Sequence, residues 1–378
     1  MASLEERGEI VIIGAGLIGL SLAFELGRRG ARVAVFDRFE PAKAASWAAA
    51  GMLAARTEEI ADEPMHALCN DALAGFPAFV ERVREASAID PQLRRDGIVQ
   101  AAFDEASLAR LQARASALAA AGIAHTLFDA RGALALEPAL ASNVLGALLT
   151  HDEGSVDNRL LGRALLAALA RMHVQVATSE EIEVEFDARR VCGVRTRWGF
   201  RPAEIVVNAA GAWAPHVAGI PEACRPPVEP VKGEMLALAM PHDFIRHTMW
   251  LGGCYVVPRT DGRLLVGATG ERVGFDHRVT AGGQRQLLDR VLQGAPSLAG
   301  FALVEQWSGL RPGTPDERPI LGRTPREGYL LATGHYRNGV LLCAQTASLL
   351  ADEIERGTSI DPAFGLARFA ENGAAVGA

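Results

Sequence analysis

The chain has 378 residues, 49% of them hydrophobic and 22% charged, a composition that excludes disordered and fibrous classes at a length suited to two domains. The formal net charge of -7, with no block of Lys and Arg, lacks the electrostatic footprint of a nucleic-acid binder. Five cysteines without a Cys-x-x-Cys pair speak against a zinc site or a disulfide framework, and for reduced thiols in a cytoplasm.

The first apolar stretch, Ile10 to Phe24, does not read as a leader, because Glu5, Glu6 and Glu9 precede it where positive charge belongs. No other stretch reaches the roughly eighteen apolar residues of a membrane span, so a soluble protein is expected. Glu9 to Ile13 is a short buried strand, Leu17 to Arg29 a helix, and Ala31 to Phe36 a second strand ending at Asp37, which together make one βαβ unit. Pro64 to Ala88 and Glu105 to Ala121 have the spacing of covering helices. A helix beginning at Leu160 is followed by strands at Val174 to Ala177, Ile182 to Glu185 and Val191 to Thr196, and the apolar run Ile205 to Ala210 returns the chain to its first domain. Lys232 to Leu238, Tyr255 to Arg259 and Leu264 to Gly267, with Asp261-Gly262 as a hairpin turn, form the sheet of a second domain. A helix from Gln284 to Gln293, strands at Leu303 to Ser308 and Tyr329 to Thr333, and a helix from Asn338 to Ile354 complete the chain.

In the first βαβ unit, Gly14-Ala-Gly16-Leu17-Ile18-Gly19 lies between strand and helix, and an acid ends the next strand. Gly14 permits a tight turn, Gly16 lets backbone approach a pyrophosphate, and Gly19 allows close helix-to-strand packing. The helix N-terminus offers free N–H groups and partial positive charge. Asp37 would accept a hydrogen bond from a ribose hydroxyl and would repel a 2′-phosphate, which argues against NADP. The fingerprint by itself leaves FAD and NAD both open.

Further along, Ala44-Ala45-Ser46-Trp47-Ala48-Ala49-Ala50-Gly51-Met52-Leu53 resembles the segment after the second strand in glycine oxidases, members of the D-amino-acid oxidase family. Val231-Lys-Gly-Glu234, the stretch Tyr255 to Thr269, the stretch Trp307 to Gly322, and Gly334-His335-Tyr336-Arg337-Asn338-Gly339-Val340-Leu341-Leu are similar to the same family, in the same order. The resemblance implies FAD and an α/β fold. A Rossmann-like FAD-binding domain of the D-amino-acid oxidase and glutathione reductase type (residues 1–90, 145–225 and 305–378) would carry a second α+β substrate domain on an antiparallel sheet (91–144 and 226–304). It places Leu17, Ile18, Asp37, Arg38, Ala45, Ser46, Ala50, Gly51, Met52, Ile182 and residues His335 to Leu341 around FAD. Physically, the small residues Ala48 to Gly51 let backbone lie against a flat ring, and Gly334 to Gly339 aims N–H groups and a helix dipole at a flavin, favouring its anionic reduced form. In the related sarcosine oxidases a cysteine tethers the flavin, whereas Pro312 to Arg323 has none, so FAD is expected to be noncovalent.

A small amino acid needs a cationic fork for its carboxylate, which arginine supplies. By resemblance Arg311 binds that carboxylate, Tyr255 adds a hydroxyl donor, and Arg337 is a further candidate. The family's reaction is hydride transfer from the neutral amine to flavin N5, followed by release of a 2-oxo acid, ammonia and hydrogen peroxide once oxygen is reduced, with no side-chain base. His66, His151, His173 and His216 show no paired catalytic spacing. Gly253 and Gly270 stand where some glycine oxidases carry bulkier side chains, so sarcosine, D-alanine or D-proline join glycine as candidate substrates. A dehydrogenase passing electrons to a quinone or carrier protein is the alternative. The resemblance further implies a homotetramer and a role in making the thiazole of thiamine; no metal is expected, from the cysteine pattern above.

Overall fold

The computed structural model describes residues 8–58, 60, 62–178 and 180–370; Glu5 and Glu6, used above against a leader, lie outside them. A six-stranded sheet runs in the order Ile320–Arg323, Tyr329–Thr333, Ile205–Asn208, Ile10–Ile13, Val33–Phe36, Gln175–Ala177. All neighbours are parallel except Ile320–Arg323, which pairs antiparallel on Tyr329–Thr333. Ile10–Ile13, Val33–Phe36 and Ile205–Asn208 are buried at every residue, as strands covered on both faces must be.

Helices Leu17–Arg28, Glu63–Ser87, Asn158–Arg171 and Gly339–Arg356 share one apolar core against one face of this sheet. Glu63–Ser87 starts where Asp62 accepts the Met65 N–H at 3.2 Å, and Asn158–Arg171 where Asp157 accepts from Arg159 and Leu160. The other face carries a second core with an antiparallel meander, Glu183–Phe186, Val191–Thr196 and Gly199–Pro202. The runs at Ile182 and Val191 therefore do not extend the parallel sheet.

The second sheet has eight strands, ordered Leu303–Gly313, Glu229–Ala239, Arg263–Gly267, Tyr255–Pro258, Thr248–Leu251, Ile98–Ala102, Gly146–Thr150, His125–Asp129. It is antiparallel apart from the parallel pair Thr248–Leu251 and Ile98–Ala102. Gly146–Thr150 pairs with Ile98–Ala102, and Leu303–Gly313 pairs along Glu229–Ala239. Among the described residues no helix is long and apolar enough to cross a membrane.

Candidate functional site

A cleft of about 790 Å³ extends from the carboxyl ends of Ile10–Ile13 and Val33–Phe36 to the eight-stranded sheet, near the upper end for pockets that bury small ligands. At its nucleotide end Gly14 has φ 106°, and a Cβ there would strike the Ala209 carbonyl. Gly16 caps the helix Leu17–Arg28 with no side chain of its own, so apart from the Leu17 N–H the first-turn N–H groups that this cap would have taken stay free of it. Gly19 does not line the cleft; a Cβ on it would collide with the Gly14 carbonyl, so it works by packing, as its place in the fingerprint predicts. Asp37 Oδ2 accepts the Ala15 N–H at 2.7 Å and Oδ1 the Phe39 N–H at 2.8 Å. Burial raises this carboxyl above its ordinary range, and the two N–H groups oppose the rise. Each oxygen keeps a lone pair for a hydroxyl. Arg38 lies over the Phe39 and Trp213 rings, and Ile182 lines the same end beside Glu180 and Glu181.

The middle of the cleft is formed by the segment Ala44 to Met52, much of it exposed to the cavity. Its carbonyls are tied back, away from any ligand. Asn158 Nδ2 donates to Ser46 O at 2.7 Å and Trp47 O at 3.2 Å, Trp307 Nε1 donates to Ala48 O at 3.0 Å, and Arg259 Nη2 donates to Ala50 O at 2.9 Å. Ser46 Oγ accepts the Leu17 N–H at 2.9 Å, joining this segment to the fingerprint helix. Gly51 has φ 69°, and a Cβ would collide with the Val156 carbonyl. Asn158, Arg259 and Trp307 were not singled out in the sequence; each lies more than a hundred residues from the carbonyl it holds.

Across the cleft, His335, Tyr336, Arg337, Asn338, Gly339 and Val340 line the wall, whereas Leu341 turns into the helix core and does not. His335 Nε2 contacts Thr346 Oγ1 at 3.0 Å, and burial lowers its pKa to about 3, so the ring is neutral. The helix Gly339–Arg356 has no side-chain cap at its N-terminus. Small backbone cradles at Gly14 and Gly51, together with two helix ends whose own N-cap residues make no side-chain bond, fit FAD: the first helix would suit its pyrophosphate and the last its ring. Among the described residues no cluster of His, Cys, Asp or Glu is arranged to hold a metal ion.

The substrate end lies between Tyr255 and Arg311. Arg311 Nη1 donates to Thr269 O at 3.1 Å and, among the described residues, makes no ion pair. Gly233 creates the room: a Cβ there would collide with the guanidinium. Tyr255 donates its hydroxyl to Met235 Sδ at 3.4 Å; burial raises its pKa, so it is a donor at neutral pH. Arg337, the third candidate, is already engaged: Nε meets Glu58 Oε2 at 2.7 Å and Nη2 meets Glu317 at 3.7 Å. Gly253 has φ 101°, so its turn accounts for glycine there. Gly270 has ordinary φ and nothing within 4 Å of a Cβ, so its glycine does widen the cavity.

The cleft and its two sheets define a flavin-dependent oxidoreductase. Residues 9–353 match the family model described as DAO, FAD dependent oxidoreductase, and the chain belongs to that family. It is 37% identical over 372 residues to the glycine oxidase of Geobacillus kaustophilus (strain HTA426), covering 97% of each chain. Its fold matches a crystal structure of glycine oxidase from Geobacillus kaustophilus with a TM-score of 0.89, at 36% identity over 96% of this chain and 99% of that one. The bifunctional protein ThiO/ThiG of Synechocystis sp. is 37% identical over 361 residues, which are 93% of this chain and 52% of that longer protein.

Proposed function

We propose that this FAD-dependent enzyme oxidatively deaminates a small amino acid, glycine first and sarcosine or small D-amino acids next, to an imino acid that hydrolyses to the 2-oxo acid and ammonia. The observation that carries the reading is Arg311: a guanidinium without a carboxylate partner among the described residues, facing the cleft beside the Tyr255 hydroxyl. Arg311 and Tyr255 bind the substrate carboxylate and fix its Cα–H toward the ring wall formed by residues 335–340. FAD, when bound, supplies the hydride acceptor. The packed surroundings of Met235 and Tyr255 limit water near the reacting carbon.

The flavin is held noncovalently: Pro312 to Arg323 has no cysteine, and the cleft's own Cys254 donates to Leu251 O, with burial raising its thiol to about 12. Molecular oxygen takes the electrons, giving hydrogen peroxide. The chain works in the cytoplasm as a homotetramer, with two units built on its two large sheets. The ThiO/ThiG relatives support use of the imino product for the thiazole of thiamine.

The test is anaerobic mixing of the yellow protein with glycine, sarcosine and D- and L-amino acids, followed by admission of air and a peroxide assay. Bleaching by glycine and stoichiometric peroxide are expected. Bleaching without peroxide would redirect the electrons to a quinone or carrier protein, and no bleaching by any amino acid would remove the assignment.

A further inference from the structure

We propose that Glu58 receives the amino group of the substrate and takes up its ammonium proton. The proposal rests on the amino-acid oxidation assigned above. In neutral water an amino acid carries an ammonium, whose nitrogen has no lone pair to support loss of hydride from the neighbouring carbon, so a proton must leave before the reaction.

Few groups in the cleft can take it. Tyr255 is a donor with a raised pKa, and His335 is both held at Nε2 by Thr346 and weakened as a base by burial. Arg311 and Arg337 have no acceptor site. Asp37, Glu180 and Glu181 stand at the nucleotide end, where the Glu180 N–H donates to Asp37 O at 3.0 Å. His216 packs on Phe275, which stacks on the Trp213 that Arg38 covers, and so belongs to that end too. Among the described residues Glu58 is the carboxylate at the other end.

Its position is fixed from behind. Glu153, fully buried, accepts the N–H groups of Arg56 at 2.5 Å and Thr57 at 3.1 Å and the Thr57 hydroxyl. Gln100 Nε2 donates to Thr57 O at 3.4 Å, and Arg114 to Arg56 O. Arg337 Nε takes only Glu58 Oε2, at 2.7 Å; among the described residues Oε1 accepts no hydrogen bond. The side chain is 13% exposed. The charged and titratable groups that face it are Arg337, Arg311, Glu317, Tyr255 and Cys69. Burial raises its proton affinity above that of an ordinary carboxylate, the two arginines hold it down, and Glu317 pushes it up. A carboxylate of that kind accepts a proton from an ammonium more readily than an exposed one. The transfer balances: Glu58 carboxylate and substrate ammonium become Glu58 carboxylic acid and neutral amine, with no electron moved.

The experiment compares wild type, Glu58→Gln, Glu58→Asp and Arg337→Met as holoenzymes. It reads kcat/KM for glycine and sarcosine against pH, and binding of glycolate, which has the carboxylate but no amine, by its perturbation of the flavin spectrum. Glu58→Gln should lose about 100-fold in kcat/KM at neutral pH and recover toward wild type as rising pH supplies free amine from solution, while glycolate binding stays near wild type. Glu58→Asp should retain part of the activity at neutral pH. Arg337→Met breaks the same ion pair and should not show the recovery. Wild-type rates and pH profile in Glu58→Gln would overturn the proposal, as would a pH-independent loss with equally weakened glycolate binding, which marks a structural role. If wild type is bleached by no amino acid, the assigned oxidation fails first and Glu58 with it; if it is bleached but Glu58→Gln matches it, Glu58 alone fails.

Discussion

Gly233 and Arg311 lie diagonally across paired strands, two residues apart in register, and the absence of one side chain creates the space for the other. Removing the guanidinium at similar length, as in Arg311→Met, should cost on the order of 2–5 kcal/mol in transition-state binding, because a desolvated carboxylate loses its partner. The loss should appear in kcat/KM for amino acids, with flavin content and absorption near wild type; unchanged kcat/KM would move the carboxylate elsewhere. Asp37→Ala should weaken FAD binding by roughly 1–3 kcal/mol when apoprotein is titrated with the cofactor. It should also lower apoprotein stability, because the Ala15 and Phe39 N–H groups lose their acceptor. That Gly14 and Asp37 share one end of the cleft was legible because the fingerprint is local and its spacing brings them together. The ion pair of Arg337 was not, since the Glu58 that engages it lies 279 residues away. Glu58 itself had no signal at all: one acid in a surface-like run becomes a cleft residue only when Glu153, 97 residues beyond Arg56, holds the Arg56 and Thr57 N–H groups just before it.

At the level of elements, the loop from Ala54 to Glu58 depends on one buried carboxyl. The pKa of Glu153 is raised from 4.5 to about 7, chiefly by burial and against the hydrogen bonds from Thr57 and Arg56. A folded-state pKa above the unfolded one means that this stabilisation is full below about pH 4.5 and is lost as pH rises through about 7. The apoprotein should therefore lose stability from mildly acidic to mildly alkaline pH, by on the order of 3 kcal/mol from this group. Glu153→Gln, which cannot ionise, should flatten that slope in urea melts taken on either side of neutrality; an unchanged slope would show that Glu153 is not its source. Elements with a period or a local cap were readable: Glu63–Ser87 and Glu105–Ala120 fall within one residue of their expected spans. Ile98–Ala102, Gly146–Thr150 and Thr248–Leu251 were not, being four or five residues long and almost wholly buried, so that no polar alternation marks them. Their strand character comes from partners far along the chain, and without them the second sheet was drawn with too few strands.

Over the whole molecule, the two sheets meet at the segment Ala44 to Met52. Trp307 and Arg259 reach it from the eight-stranded sheet or its adjoining turn, and Asn158 from a helix that covers the six-stranded one. Trp307→Phe keeps the ring but removes the N–H to Ala48 O, and should weaken FAD by about 1 kcal/mol in apoprotein titration. Full affinity in that variant would mean that the carbonyl does not need its donor. The same wiring makes colour a gauge of assembly. A chain in which Leu303–Gly313 has not joined its sheet lacks the donor that holds the Ala48 carbonyl aside, so the flavin seat is whole only in the completed fold. Yellow protein is then protein whose two halves have met, and a pale fraction that FAD cannot turn yellow is a count of molecules in which they have not.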